Sequence, residues 1–381
     1  MSAGSPIEGR LGLFMMADSL HTGGTERQFV TMAHALAGGI FQVHTACLSR
    51  AGAFLDQLPG IEEFSPGNNL FGLQSQRTRF ALARRMRQLG VAVAHAFDFY
   101  ANLMLIPAAR MARVPVVIGS HRQLGDLMTS AKFSLQKQMF RLCDRVVCNS
   151  QAAADRLGLA QRKLTVIPNA LPDAAFDDAA PSLPREPGKL RVGMVARMND
   201  PVKNHRGFLQ MAARVVRNLP NAEFVVAGDG PLRPEIEGLA AQLELTSRTK
   251  FLGDCRDVPA VLASVDVLVQ PSLSESLSNV ILEGMAAGLP VVAARVGGNP
   301  ELIKDRETGM LTGLAEEELA SAVSELLRSP ELRKRIGSSA RAEAQRKYRV
   351  SSVRQQYEDL YQSLLPSKAG AQEARKLANL A

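Results

Sequence analysis

The chain has 381 residues, 46% of them hydrophobic and 22% charged, which is ample for buried cores and long enough for two domains. Wholesale disorder, collagen-like repeats and small disulfide-stapled scaffolds are excluded. Lys and Arg number 45 against 37 Asp and Glu, a formal charge of +8; this attracts anions without choosing among nucleic acid, acidic lipid and nucleotide phosphates, while 5% aromatics and no Trp argue against stacking on single strands.

In chain order, Leu11–Ala17 reads as a strand, followed by a loop with Gly23 and Gly24 and a helix from about Thr25 to Ala37. Val43–Leu48 and Val91–Ala96 read as strands, Asn102–Met111 as a helix, and Val114–Gly119 as a short apolar run typical of a buried parallel strand. Arg145–Cys148, Gln151–Leu157 and Leu164–Ile167 continue the alternation of strand, helix and strand. Pro172, Pro181, Pro184 and Pro187 then break all periodicity, so 173–188 reads as a linker. The alternation restarts with a strand at Leu190–Val195, a helix at Gly207–Asn218, and a strand at Glu223–Ala227 that runs into Gly228-Asp229-Gly230. Pro234–Leu243 is predicted helical, Lys250–Leu252 a strand, Val258–Ser264 a helix and Val267–Gln270 a strand. Asn279–Ala287 is predicted helical, Pro290–Ala293 a strand and Glu301–Ile303 a helical turn. From Glu316 to about Leu364 the pattern is largely helical, with a frayed helix through Lys368, Glu373 and Lys376. The expected fold is α/β: two Rossmann-like, doubly wound parallel-sheet domains, 1–172 and 189–350, facing across a cleft, with a helical tail at 351–381 that could cross back to the first domain.

Cys47, Cys143, Cys148 and Cys255 form no CxxC pair and no zinc spacing, and read as small core residues in a reducing, cytoplasmic compartment. The apolar run Leu11–Ala17 is too short for a signal peptide, and no stretch approaches the roughly 18 apolar residues of a spanning helix. Peripheral attachment at the inner face of a membrane stays open. The segment Phe80–Arg87, basic and partly amphipathic, could meet anionic lipid or a lipid-linked acceptor, and could equally be a solvated helix face.

Chemistry concentrates where strands end. Pro271 to Asn279 follows a strand directly, and the amides of Ser276, Leu277, Ser278 and Asn279 open the next helix, where the helix dipole favours a negative oxygen. Glu275 precedes this helix and Glu283 lies about one turn into it; ionised carboxylates only accept hydrogen bonds and so suit hydroxyl-rich ligands. A capping role is the plain alternative for Glu275 and a surface role for Glu283, although the apolar neighbours Ile281, Leu282 and Met285 sit badly with the latter. Arg197 and Lys203 follow the strand ending at Val195, where two cations can neutralise a diphosphate. In the first domain Gly23-Gly24 is not GxGxxG, but glycines admit close approach of a ligand to backbone. His121 ends a strand and could hydrogen-bond a sugar hydroxyl; a satisfied structural histidine is as natural a reading. His95, Asn149, Ser150 and Asn169 are weaker strand-end candidates with ordinary cap and turn alternatives.

Several of these motifs coincide with one family. Glu275-Ser276-Leu277-Ser278-Asn279-Val280-Ile281-Leu282-Glu283, with seven residues between the glutamates, resembles the paired-glutamate motif of retaining glycosyltransferases of family 4 (group 1 glycosyl transferases, GT-B fold). Gly284 to Val292, Gly297-Gly298-Asn299-Pro300-Glu301, Gly23-Gly24-Thr25-Glu26-Arg27, Ile167-Pro168-Asn169 and Arg197 with Lys203 are similar to it as well, so the likeness spans nearly the whole chain. Two departures stand out: Ala196 precedes Arg197 where many relatives have Gly, and the unusual loop Met198–Asn204 ends in Asn where Gly is common.

The resemblance implies a nucleotide diphosphate-sugar as co-substrate, with uridine diphosphate the commonest nucleotide, and neither metal nor other cofactor. It assigns the ribose to Glu283, the diphosphate to Arg197 and Lys203, donor-sugar hydroxyls to Glu275, and the sugar and acceptor to His121. Leu277 and Ser278 amides would support sugar or phosphate; Gly24 would approach the diphosphate; Gly23, Asn169, Gly228, Ser276 and Asn279 would complete the nucleotide-sugar site. The expected partners are the donor and a hydroxyl acceptor, glycan, lipid-linked or small, and no nucleic acid; nothing in the sequence bears on oligomeric state. Other readings kept open are a nucleotide-sugar epimerase or glycan phosphorylase of the same fold and, in another class, a basic nucleic-acid or regulatory binding module.

Overall fold

The computed structural model describes residues 10–126 and 128–365. The tail segment through Lys368, Glu373 and Lys376 lies outside the described residues. The chain divides into two compact units, one made of 10–170 with 350–365 and the other of Leu171–Arg349.

In the first unit, β1 (Leu11–Ala17), α1 (Gly24–Ala37), β2 (Phe41–Cys47), β3 (Glu62–Glu63), α2 (Leu73–Gln88), β4 (Val91–Ala96), α3 (Phe99–Met111), β5 (Val116–His121), α4 (Ser130–Arg141), β6 (Arg145–Cys148), α5 (Gln151–Leu157) and β7 (Leu164–Val166) follow one another. All strand pairs are parallel and the sheet order is β3-β2-β1-β4-β5-β6-β7. Side chains alternate across the sheet. Leu13, Met15 and Ala17 pack into a core with Phe29, Leu36, Tyr357 and Tyr361, while Phe14 and Met16 face a second core with Leu82, Met104 and Phe140. Both faces are covered, which is why the strands read as near-continuous apolar runs.

The second unit repeats the plan. It runs β8 (Leu190–Val195), α6 (His205–Asn218), β9 (Ala222–Ala227), α7 (Arg233–Gln242), β10 (Thr249–Gly253), α8 (Val258–Leu262), β11 (Val267–Gln270), α9 (Asn279–Ala286), β12 (Val291–Ala294), α10 (Asn299–Leu302), β13 (Met310–Thr312), α11 (Glu316–Arg328) and α12 (Pro330–Lys347). Its sheet is parallel with the order β10-β9-β8-β11-β12-β13. A final helix, α13 (Val350–Leu364), belongs to the first unit, where it packs against α1. Residues 173–188 belong to the second unit. There the Ser182 amide donates to the Ala260 carbonyl at 2.9 Å, and Arg185 pairs with Asp266 at 2.7 Å.

Each sheet is thus doubly wound. Strand order reverses between β1 and β4 in the first unit and between β8 and β11 in the second. Loops leaving the carboxyl ends of such a strand pair run in opposite directions and leave a crevice, which is where this architecture takes ligands.

Candidate functional site

The loops after β8 and β11 leave the second unit's reversal point, and backbone bonds set both. After β8, the Ala196 amide donates to Ala227 at 2.9 Å, Met198 to Asp229 at 2.8 Å, and Leu232 to the Met198 carbonyl at 3.0 Å. Buried His205 reaches the Ala196 carbonyl through Nε2 at 3.3 Å. Gly228 lies against this turn with φ +134, and a Cβ there would overlap the Ala196 carbonyl oxygen. That is a backbone conformation and a contact only glycine accommodates. Arg197 is exposed on the turn so held.

The departure at Asn204 has a structural reason. Its φ of +58 is left-handed, a conformation Asn tolerates better than most residues. Its side chain is used twice: Oδ1 accepts from Gly207 N at 3.0 Å, capping α6, and Nδ2 donates to the Pro271 carbonyl at 3.0 Å. With Leu273 N donating to the Val202 carbonyl at 2.8 Å, this joins the loop after β8 to the loop after β11.

Across that joint, Lys203 Nζ lies 2.6 Å from Glu275 Oε1. The same oxygen accepts from Ser272 Oγ at 3.0 Å and from Gln270 Nε2 at 3.1 Å. The Glu275 side chain is 10% exposed and that of Lys203 32%. Gly298, in the loop after β12, donates its amide to the Glu275 carbonyl at 3.0 Å. Three strand-end loops therefore hold this one residue, two of them through its carboxylate and the third through its backbone. Ser278 caps α9 by accepting from Ile281 N at 3.3 Å. Ser276, Leu277 and Ser278 are buried, while Asn279 and, on the second turn of α9, Glu283 are half-buried. Lys203 and Glu275 are brought into direct contact; Arg197 and Glu283 belong to the same strand-end segments. Gln270, Ser272 and His205 did not stand out in the sequence. A polar residue closing an apolar strand, as Gln270 does, was the available signal.

In the first unit, Gly23 caps α1 in extended conformation and Gly24 begins the helix. Gln28, one turn on, locks this end: its Nε2 donates to the Ala170 carbonyl at 2.9 Å and its Oε1 accepts from Ala170 N at 2.6 Å. Asn169 is buried and accepts from Arg122 Nη2 at 2.8 Å. Arg122 also donates to Tyr357 Oη at 3.2 Å and stands over the Phe97 ring.

His121, between these anchors, is fully buried beside Phe133 and Phe140. Burial pushes its pKa down to about 4; Gln136 approaches and offsets part of the shift, but neither ring nitrogen reaches hydrogen-bond geometry with a partner. A buried neutral imidazole without partners is costly unless something completes it. His95 differs. It bridges Tyr361 Oη at 2.7 Å and Ser120 Oγ at 2.8 Å, and burial takes its pKa to about 3, so it is a satisfied structural group. Ser150 caps α5 and Asn149 is buried beside it.

Asp98 was not anticipated. It follows β4 at the reversal point of the first sheet, caps α3 through Ala101 N at 2.9 Å, and accepts from Asp18 N at 2.6 Å. Burial, with Asp18 and Glu26 nearby, lifts its pKa to about 7. The cysteines behave as core residues: Cys47, Cys143 and Cys148 are buried, and desolvation raises their thiols to about 11, 12 and 12. Among the described residues no group of three or more His, Cys, Asp or Glu is arranged to hold a metal ion, and no helix is long and apolar enough to cross a membrane.

Two family models match the chain, glycosyltransferase family 4 over residues 22–174 and glycosyl transferases group 1 over 189–329. Among curated proteins, N-acetyl-alpha-D-glucosaminyl L-malate synthase of Bacillus anthracis is 34% identical over 170 residues, 43% of each chain. The UDP-Gal:alpha-D-GlcNAc-diphosphoundecaprenol alpha-1,3-galactosyltransferase of Escherichia coli is 26% identical over 285 residues, 68% of this chain and 72% of that one. The first several curated relatives are matched over less than half of their own length. Among solved structures, HepE of Anabaena in complex with UDP-glucose superposes with a TM-score of 0.80 at 22% identity, covering 93% of this chain and 100% of that chain.

Proposed function

The chain belongs to glycosyltransferase family 4, the group 1 glycosyl transferases, and from that premise we propose that it transfers a sugar, with retention, from a uridine diphosphate-sugar to a hydroxyl of a glycan, lipid-linked or small-molecule acceptor in glycoconjugate biosynthesis. The observation that carries the reading is the Lys203–Glu275 pair at the reversal point of the second sheet. A cation for phosphate and a carboxylate for hydroxyls stand side by side there. The uridine nucleotide is taken from structural relatives solved with UDP and UDP-glucose.

In this reading Arg197 and Lys203 hold the diphosphate, Glu283 the ribose and Glu275 the donor-sugar hydroxyls. Gly228, Ser276, Leu277, Ser278 and Asn279 line the nucleotide-sugar. In the first unit, Gly23, Gly24, Asn169 and His121 are the candidates for contact with donor or acceptor. His121 is suited to donate or accept one hydrogen bond, because its ring nitrogens are otherwise unpartnered. The acceptor oxygen bonds to the anomeric carbon on the face from which the diphosphate departs. The bond from that carbon to phosphate oxygen breaks, and the acceptor proton passes to the departing phosphate. Fixed cations stabilise the charge that gathers on the leaving group, and positioning supplies much of the remainder.

A panel of nucleotide-sugars screened by thermal shift should single out a uridine donor, and Glu283→Ala should weaken its binding about 10-fold or more with the circular dichroism spectrum retained. Incubation with lipid-linked and soluble acceptors should then release UDP and give a product of retained anomeric configuration. An inverted product rejects the stereochemistry; sugar change in the donor alone, without transfer, makes the protein an epimerase.

A further inference from the structure

The last residue of β11 breaks the character of its strand. Val267, Leu268 and Val269 are fully buried, as suits a strand flanked on both sides, here by β8 and β12. Gln270 follows them at 1% exposure. Its Nε2 donates to Ser272 Oγ at 2.8 Å and to Glu275 Oε1 at 3.1 Å. Ser272, also fully buried, donates through Oγ to the same Glu275 oxygen at 3.0 Å. The amide fits only this way round: with its oxygen and nitrogen exchanged, two acceptors would face each other at the carboxylate. The other half of the amide is left over, since Gln270 Oε1 is buried and no donor among the described residues reaches it. An unpaired amide oxygen inside a sheet is unfavourable, and a valine or leucine would extend the apolar run without it. A local rule broken in this way points to a use for the half that is bonded.

Lys203, Ser272 and Gln270 all reach Glu275 through Oε1, and Oε2 receives no hydrogen bond among the described residues. The three donors are not equivalent. Lys203 is a cation on a flexible stem, 32% exposed, and a phosphate would draw it away. Gln270 and Ser272 are neutral and lie five and three positions before Glu275, at the end of a central strand. They hold the carboxylate whatever Lys203 does. A carboxylate pinned by one oxygen presents the other in a set direction. We propose that Gln270, together with Ser272, is a positioning residue that sets donor-sugar selectivity. It fixes the Glu275 carboxylate so that Oε2 accepts from a sugar hydroxyl of one orientation and misses the same hydroxyl inverted. This role rests on the assignment of donor-sugar hydroxyls to Glu275 in the proposed function. A site that reads a hydroxyl discriminates well only when its acceptor is held by rigid neighbours and cannot follow the hydroxyl to a new place.

The experiment is calorimetric titration of the full chain with UDP, with UDP-glucose and UDP-galactose, and with UDP-N-acetylglucosamine and UDP-N-acetylgalactosamine. Within each pair the sugars differ only in the orientation of one hydroxyl. The native chain should favour one epimer of a pair by about 10-fold or more. Gln270→Met, unbranched and without an amide, and Ser272→Ala should each bring that ratio to within about threefold of unity, while UDP binds within about threefold of its native affinity. A packing role alone would weaken all five ligands alike. In a Glu275→Ala background, Q270M should leave the epimer ratio where E275A by itself puts it, because Gln270 acts through that carboxylate. Circular dichroism reports the fold of each variant, and S272A decides the matter if Q270M does not fold. An unchanged epimer ratio in the folded variants, or a further change of the ratio in the E275A background, overturns the proposal and leaves the UDP-sugar reading standing. A native chain that binds UDP without telling the epimers apart overturns it too. Failure to bind any of the five ligands overturns the UDP-sugar reading, and this role with it.

Discussion

Replacing Glu275 by Gln keeps the shape and one acceptor oxygen but removes the charge opposite Lys203. The two atoms are 2.6 Å apart, with the carboxylate side chain 10% exposed and the lysine 32%. Fully exposed pairs are worth about 0.2–1 kcal/mol, whereas breaking a buried one costs about 3–5 kcal/mol. This pair lies between, so E275Q should lose about 1–2 kcal/mol of stability. K203M should lose a similar amount, because Glu275 then keeps only Ser272 and Gln270 as side-chain donors. The double variant should lose less than the sum, with a coupling of about 1–2 kcal/mol in urea denaturation. Nucleotide binding should split the two singles. If Lys203 exchanges Glu275 for phosphate, E275Q binds UDP at least as tightly as the native chain, whereas K203M binds it about 10-fold more weakly or worse. Calorimetric titration reads this directly. Additive stability losses would falsify the coupling, and unchanged UDP affinity in K203M would remove that lysine from the phosphate site.

Gly228→Ala places a Cβ against the Ala196 carbonyl at a φ of +134; a loss of about 3 kcal/mol or more is expected, read as a lowered thermal midpoint, and an unshifted midpoint would show that the turn under Arg197 relaxes freely. Asp98 has a pKa of about 7 in the folded chain against an ordinary 3.8. Above that folded value the native state carries a buried charge. As pH falls through 7 it takes up a proton the unfolded chain does not hold until about 4, so Asp98 favours the native state increasingly over that window. The stability of D98N minus that of the native chain should therefore rise with pH, by about 1.4 kcal/mol per unit between about pH 5 and 7; a difference that stays flat in denaturant titrations would contradict the burial of that carboxylate.

The strands at Leu11–Ala17, Val91–Ala96, Arg145–Cys148, Leu190–Val195 and Val267–Gln270 were legible to the residue, because each is a short, largely apolar run with a polar residue within two positions of its end. Three elements were missed. Ser130–Arg141 buries only Gln136 and Phe140, too few for a clear helical period. Glu62–Glu63 is an edge strand of two glutamates paired to β2, with no apolar residue to signal it, and Met310–Thr312 is three residues at the other sheet's edge. The helix Leu73–Gln88 was glimpsed only in its basic second half, since Gln and Arg dominate its composition.

In the site, residue types at strand ends were readable because chemistry-bearing side chains interrupt apolar runs: Arg197 after Val195, Glu275 after Gln270, His121 after Ser120. Asp98 was not singled out, because a polar residue opening a helix looks like any cap, and only its desolvation in the fold distinguishes it. The exposure of Phe71, Leu73 and Phe80 was equally hidden, because an apolar side chain in a sequence does not say which way its helix turns.

Local sequence alone determined the alternation of strand and helix, the double α/β plan and the family, since these follow from periodicities and motifs only a few residues long. The tertiary structure decided which distant residues meet. Lys203 and Glu275 are 72 positions apart, and they touch because β8 and β11 pair side by side where the winding of the sheet reverses. It also decided that His121 is buried without partners while His95 is fully bonded. Charge pairing and desolvation depend on separation in space, which chain order does not encode.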